Sequence, residues 1–417
     1  MPLSERLKIR LSGWLGSEKL EQTTDRQNRY RLGGSELDVH ETEAHRRVGQ
    51  SYQLQAEIEH YAPSGRQSLR SFLKLTGNPA NDRVLLDRVS VPGSALSVEE
   101  KQEAAPFQAF WALEYGFKPN ERQIVQVVAK FALRRNPHTL RSGYPAYAPF
   151  FGLDSTFQFL RQQTDLEQDK FLLTARYLFD LWRLKWQLEL GTDHERGRLR
   201  SDLVVQNAAG GRWFAGDPFR NALDYRASTY FARAQATKRL GNWRLQGWLQ
   251  QNLHDLRLDD PLIERQQQQF GLSESGLGTQ YEFTQQSRIG LRYAYRPSLP
   301  GLSAYYAGYL FSGYQSVARA LPELTSMPGH SARFFCLYEN PRTFYGWNAS
   351  VSVSRSENEL GTQYAIPKPH GGTGGASVCA AGLGFSFLKH PPQSRHITPT
   401  GHVRKKRIRL NVILAKS

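Results

Sequence analysis

The residues able to do chemistry lie in four short stretches, and their spacing decides how much each can do. "HETEAH" places His40, Glu41, Glu43 and His45 together. A zinc protease sets two His four apart on one helix face; here the spacing is five, in a polar stretch, so no metal site is expected. "GLSES" at 271–275 has Ser275 where a nucleophile elbow needs its second glycine. "HGGTGG" at 370–375 lacks the Lys and Ser/Thr of a phosphate loop and reads as linker. "LHDLRLDD" carries Asp255, Asp259 and Asp260, which fit a solvated acidic loop better than a cation site. No catalytic residue and no cofactor is expected. The one enzymatic alternative is a barrel hydrolase using His254 with Asp255, or His194 with Asp193.

The elements that carry these residues have period two rather than 3.6. In "RLKWQLELGT", Leu184, Trp186, Leu188 and Leu190 alternate with Arg183, Lys185, Gln187 and Glu189. The same alternation runs through 7–11, 52–59, 107–117, 288–296, 345–354 and 382–387. About 16 to 20 such segments are expected, many near the ~9 to 11 residues of a tilted membrane strand rather than the ~5 or 6 of a soluble one. Tight turns are expected around 180–182, at Gly241-Asn242, Gln285-Gln286 and 339–343. Long polar connections are expected at 134–168, 193–228, 254–275, 315–331 and 355–376, and one short helical turn at 97–105. Short turns on one rim and long loops on the other describe an outer-membrane barrel.

Composition agrees. The chain has 417 residues, 39% hydrophobic and 12% aromatic, too aromatic for a disordered chain. Its most apolar uncharged stretch, "LSAYYAGYLFSGY" at 302–314, is too short for the ~18 residues of a membrane helix. Tyr52, Phe107, Phe117, Tyr230, Trp243, Tyr295, Tyr345 and Phe387 fall on the apolar face towards strand ends, where a barrel carries its aromatic girdles. Two cysteines, Cys336 and Cys379, make neither a disulfide framework nor a zinc cluster. The N-terminus has no apolar signal region, so an exported protein would be a fragment or have a mis-assigned start.

The charge is unusual. The net charge is +16, and only 14 of the 54 basic residues are Lys. Arg176, Arg183, Lys185, Glu189, Arg233, Arg244, Arg288, Arg292 and Arg296 all share the face opposite the apolar one. In a barrel that face lines the lumen, where Arg rings favour anionic solutes; the equal alternative is pairing with Glu57, Glu59, Glu114, Glu189 and Glu282 to stabilise a wet interior. "RKKRIRL" at 404–410 is a basic patch or the start of a last strand; no recognition helix, RNP motif or zinc finger accompanies it, so no nucleic-acid partner is expected.

The stretches 228–260, 276–298 and 169–195, with their paired strands, Gly-Asn turn and long loops, resemble the β-barrel of TonB-dependent outer-membrane receptors. The resemblance covers 170–390 and lacks the TonB box, the plug domain and an aromatic last residue. It implies uptake of a scarce nutrient such as a metal chelate, with help from an energy-coupling periplasmic protein. The expectation is one antiparallel transmembrane β-barrel over 1–417, with 390–417 either last strand or tail. It would sit in the bacterial outer membrane against lipid and lipopolysaccharide and pass a small solute. The competing expectation is a soluble or secreted propeller or sandwich that binds polysaccharide or an anionic partner through Tyr/Arg-rich loops.

Overall fold

The computed structural model describes residues 2–4, 7–32, 35–91, 95–143, 157–207, 209, 211–284, 286–302, 305–313, 316–319, 326–340, 345–356, 363–365, 378–380 and 407–416. The first strands are β1 (Pro2–Ser4), β2 (Leu7–Leu32), β3 (Ser35–Tyr61), β4 (Gln67–Gly77), β5 (Ala80–Val91), β6 (Ala95–Ala104) and β7 (Phe107–Asn120). The central ones are β8 (Gln123–Gly143), β9 (Phe157–Leu181), β10 (Leu184–Asn207), β11 (Arg212–Phe214), β12 (Asn221–Leu240), β13 (Trp243–Asp260) and β14 (Ile263–Glu282). The remainder are β15 (Arg288–Tyr295), β16 (Leu310–Gly313), β17 (Ser316–Arg319), β18 (Gly329–Asn340), β19 (Tyr345–Ser356), β20 (Gln363–Ala365), β21 (Val378–Ala380) and β22 (Arg407–Lys416). Eighteen of them form one antiparallel sheet, while β16, β17, β20 and β21 form a separate four-stranded one.

The large sheet is a meander in which consecutive long strands pair along most of their length. Leu184–Asn207 pairs with Leu181–Phe157 on one side, and Lys185–Ser201 with Thr237–Asn221 on the other. Two strands are interrupted. β3 pairs first with β5 and then with β4, so these two run end to end; β6 and β7 do the same beside β8. Proline causes the breaks, because its nitrogen has no hydrogen to give the ladder. The carbonyls of Pro79, Pro106 and Pro137 instead accept from Gln50, Asn78 and Ala105 at 2.9, 3.1 and 3.1 Å, which lines up the interruptions across neighbouring strands.

One rim carries short turns, including Trp182-Arg183, Gly241-Asn242 and the bend at 283–287 closed by Phe283 N–H on the Ser287 carbonyl. Both Trp182 and Arg183 have positive φ, 55° and 59°, the conformation of a two-residue hairpin turn. Arg183 is therefore a turn residue at the rim, and the expected strand face begins one residue later, at Leu184.

The strands are longer than the alternation indicated. β9 and β10 have 25 and 24 residues, which at about 3.3 Å per residue and a tilt near 40° reach roughly 60 Å, more than twice the ~25 Å apolar band of an outer-membrane barrel. Most of 134–168, 193–228 and 254–275 is strand, and β13 and β14 are joined by a two-residue turn at 261–262. These segments read as loops because both faces turn polar beyond the band while the ladder continues. The helical turn expected at 97–105 is likewise strand: Glu99 projects to Arg83 on β5 at 2.7 Å, a cross-strand pair. The connection at 339–343, the stretch at 370–375 and the aromatic Phe387 lie wholly or partly outside the described residues.

The two faces differ sharply. Leu188, Leu190, Leu249, Leu253, Leu277 and Leu291 lie on one of them, with Leu190 64% and Leu277 69% exposed. Tyr52, Tyr230 and Trp243 stand on this same face as expected. Two apolar clusters lie on the opposite face towards the other rim, one around Leu140, Leu160, Leu203 and Phe311, the other around Leu199, Leu223, Leu258 and Tyr305. Leu302, Tyr305 and Phe311 thereby share clusters with residues of β6, β8, β9, β10, β12 and β13. A segment of the chain is thus packed against the polar face. The polar face is the inside of the barrel.

Candidate functional site on the inner wall

Cross-strand partners share a face, so the register places the inner residues in order around the wall. Glu189 on β10 stands between Arg176 on β9 and Arg233 on β12; Arg233 is opposite Gln250 on β13, and Gln250 is opposite Glu274 on β14. Arg176 binds Glu189 at 3.1 Å, and the Gln187 amide donates to the other Glu189 oxygen at 3.3 Å. The Asn252 amide donates to Glu274 at 2.7 Å, and Arg296 stands 4.0 Å from the same carboxylate. Further round, Glu57 accepts from Arg10 at 3.3 Å and from Arg70 at 2.7 Å, and Gln126 donates to Glu114.

The structure brings most of the expected lumenal residues onto this wall: Arg176, Lys185, Glu189, Arg233, Arg244, Arg288, Arg292 and Arg296. Pairing divides them. Arg176 faces Glu189, a partner the wet-interior alternative named, and Arg296 faces Glu274, which it did not name. Among the described residues, no carboxylate lies within 4.0 Å of the cationic groups of Lys185, Arg233, Arg244, Arg288 or Arg292, which leaves a positive excess on the wall.

Two aromatic residues organise that excess. The guanidinium of Arg233 lies 4.7 Å from the Trp248 ring centre and that of Arg296 lies 5.2 Å from it, while Arg292 lies 5.1 Å from Phe335. The ring quadrupole attracts the cation and holds the planar group flat against the wall. Gly276 makes room for the indole, since a Cβ there would come within 2.4 Å of Trp248 Nε1. Neither aromatic was anticipated, although Trp248 stands in phase with Arg244, Gln246 and Gln250 and so shares the polar face. Its parity carried the signal and its hydrophobicity masked it.

Leu302 and residues 305–311, part of the most apolar uncharged stretch of the sequence, fill the inside near the long-strand rim. Tyr305 is fully buried against Tyr225, with ring centres 5.8 Å apart. Gly197 admits Leu302, whose Cδ2 would be 2.5 Å from any Cβ at that position. Polar groups then fix the segment: the Asn221 carbonyl oxygen accepts from Gly308 N–H at 2.7 Å while its amide donates to Ser201 at 2.8 Å. Gln162 accepts from Phe311 N–H at 2.8 Å, and the Pro218 carbonyl accepts from Tyr309 N–H at 2.8 Å. Burial pushes the Tyr305 phenol up, so it stays protonated.

The residues singled out for catalysis are not assembled. Adjacent strand residues point to opposite faces, so Asp193 goes inside to Lys170, 2.9 Å away, while His194 goes outside to Ser228 at 2.9 Å and Tyr230. His254 and Asp255 separate in the same way, to Thr229 inside and Arg257 outside. His40 and His45, five apart on β3, also face opposite sides, and no metal-binding group of side chains occurs among the described residues. Asp260 accepts the Leu262 N–H at 2.9 Å and caps the turn at 261–262.

No family model matches the sequence, and no curated protein is similar to it at the level of sequence. Solved structures do match. The ferric-catecholate import receptor Fiu of E. coli K12, in its closed form, superposes with a TM-score of 0.50 at 10% identity over 86% of this chain. The ferric yersiniabactin uptake receptor FyuA of Yersinia pestis gives 0.49 at 10% identity over 85% of this chain. This chain spans 60% of the length of Fiu and 57% of that of FyuA. Fold and faces together define a transmembrane β-barrel. Within that class the chain resembles the barrel of TonB-dependent receptors, as its sequence texture implied.

Proposed function

We propose that this barrel takes up or passes a small anionic solute across the outer membrane, with no chemical step. The observation that carries the reading is the inner wall on which Lys185, Arg233, Arg244, Arg288 and Arg292 lack carboxylate partners, among the described residues, at the level of the outer leucine band. Charges lining a pore select ions of the opposite sign, and guanidinium groups suit carboxylate or phosphate solutes and anionic metal chelates. The import role of Fiu supports uptake over simple diffusion. On this reading the outer face meets lipid and lipopolysaccharide, and uptake against a gradient draws on an energy-coupling periplasmic protein. A soluble all-β protein would instead leave the exposed leucines of six neighbouring strands in water, a patch far above the few hundred Å² usual for soluble surfaces.

The test is reconstitution into a planar bilayer under a salt gradient. The expected reversal potential is that of an anion-selective pathway, and Arg233→Glu with Arg292→Glu should move it towards cation selectivity. A wild-type channel that prefers cations would overturn the reading.

A further inference from the structure

The outward face is not evenly filled. Between β10 and β15 it holds a groove of about 480 Å³ whose walls include Ala236, Gly247, Leu277, Thr279 and Leu291, with Lys238 at one end. The register explains the hollow. Ala236, Gly247, Leu277 and Tyr293 form one cross-strand row, and Lys238, Leu245, Thr279 and Leu291 form the next row towards the short turns. Small side chains at Ala236 and Gly247 thus lie flanked by large ones. Below them Trp243, Tyr281 and Phe283 pack ring on ring, with centres 4.9 Å apart in each pair, as side chains do at a membrane interface.

We propose that this groove binds one acyl chain of a phospholipid from the leaflet on the short-turn side, with the lipid phosphate on Lys238. The inference rests on the outer-membrane reading. In that setting the groove opens into hydrocarbon, where an acyl chain is the molecule at hand. Lys238 is the one charged side chain lining it, and among the described residues no carboxylate pairs with it. It stands one row to the hydrocarbon side of the aromatic trio. A long flexible amine at this height can extend to a phosphate while its stem stays in the apolar layer, and a basic residue near the surface favours anionic lipid roughly fivefold.

The experiment is native mass spectrometry of the full chain extracted in mild detergent, with phosphatidylglycerol or phosphatidylethanolamine added. The wild type should retain one phospholipid through detergent exchange, with roughly fivefold preference for phosphatidylglycerol. Gly247→Leu, or Ala236→Leu if the first variant misfolds, should lose the retained lipid yet still migrate as a heat-modifiable barrel. Lys238→Glu should keep lipid but lose the preference. Equal retention by wild type and the filled variants overturns the proposal, as does a wild-type dimer that Gly247→Leu converts to monomer, since a second copy would then occupy the groove. A chain that stays soluble without detergent instead overturns the outer-membrane reading itself.

Discussion

Leu188 and Gln187 are neighbours on β10 with opposite surroundings, and exchanging each for arginine reads out those surroundings directly. Leu188 is 42% exposed on the outer face, between Tyr177 and Ala234. It lies four residues beyond Leu184, the first outward residue after the turn, which at ~3.4 Å per residue and ~40° tilt puts it about 10 Å into the apolar layer. Half of a ~25 Å band is about 12 Å, so Leu188 sits close to the midplane and Leu188→Arg should cost about 2–4 kcal/mol. Gln187 faces inward and donates to Glu189. An arginine there meets water and that same carboxylate, so Gln187→Arg should change stability by less than about 0.5 kcal/mol. The assay is equilibrium unfolding from phospholipid vesicles in urea, followed by tryptophan fluorescence and gel migration with and without boiling. Equal costs for the two variants, or a larger cost for Gln187→Arg, would refute the assignment of faces.

Other consequences are equally open to measurement. Asn221→Ala removes the carbonyl and amide that tie Gly308 to Ser201, two buried hydrogen bonds worth about 1–3 kcal/mol together; single-channel conductance and chymotryptic cleavage at Tyr305, Tyr306 and Tyr309 should both rise. Arg183→Gly relieves a positive φ that L-residues adopt at a cost of about 1–2 kcal/mol, so the variant should unfold from vesicles at higher urea. Gly276→Val would drive into Trp248 and displace the two guanidinium groups stacked on it; anion selectivity should fall while heat-modifiable migration persists.

The period-two pattern determined a good deal by itself. Because strand side chains alternate strictly, "LKWQLEL" fixes that Leu188 and Glu189 look in opposite directions whatever surrounds them. The same parity rule assigned Arg176, Arg233, Arg288, Arg292 and Arg296 to one face, and the structure keeps them there. Where the sequence misled most, the reason is that alternation of hydrophobicity reports the membrane band rather than the strand. The polar upper parts of β9, β10, β12, β13 and β14 therefore passed for loops. Arg183 lost its place on the strand face, because a two-residue turn consumed it.

Tertiary structure alone decided how the inner face is used. No local pattern reveals that Arg176 has a carboxylate partner while Arg233 rests on Trp248, since such partners lie across a hairpin on the neighbouring strand and depend on the register between the two. The stretch 302–311 shows the same division most clearly. Its composition marked it only as apolar and too short for a membrane helix, and its burial against Leu199, Leu223 and Leu258 inside the barrel mouth exists only once β10, β12 and β13 lie side by side. Sequence sets which surfaces avoid water; the closing curvature of the sheet sets what each of them meets instead.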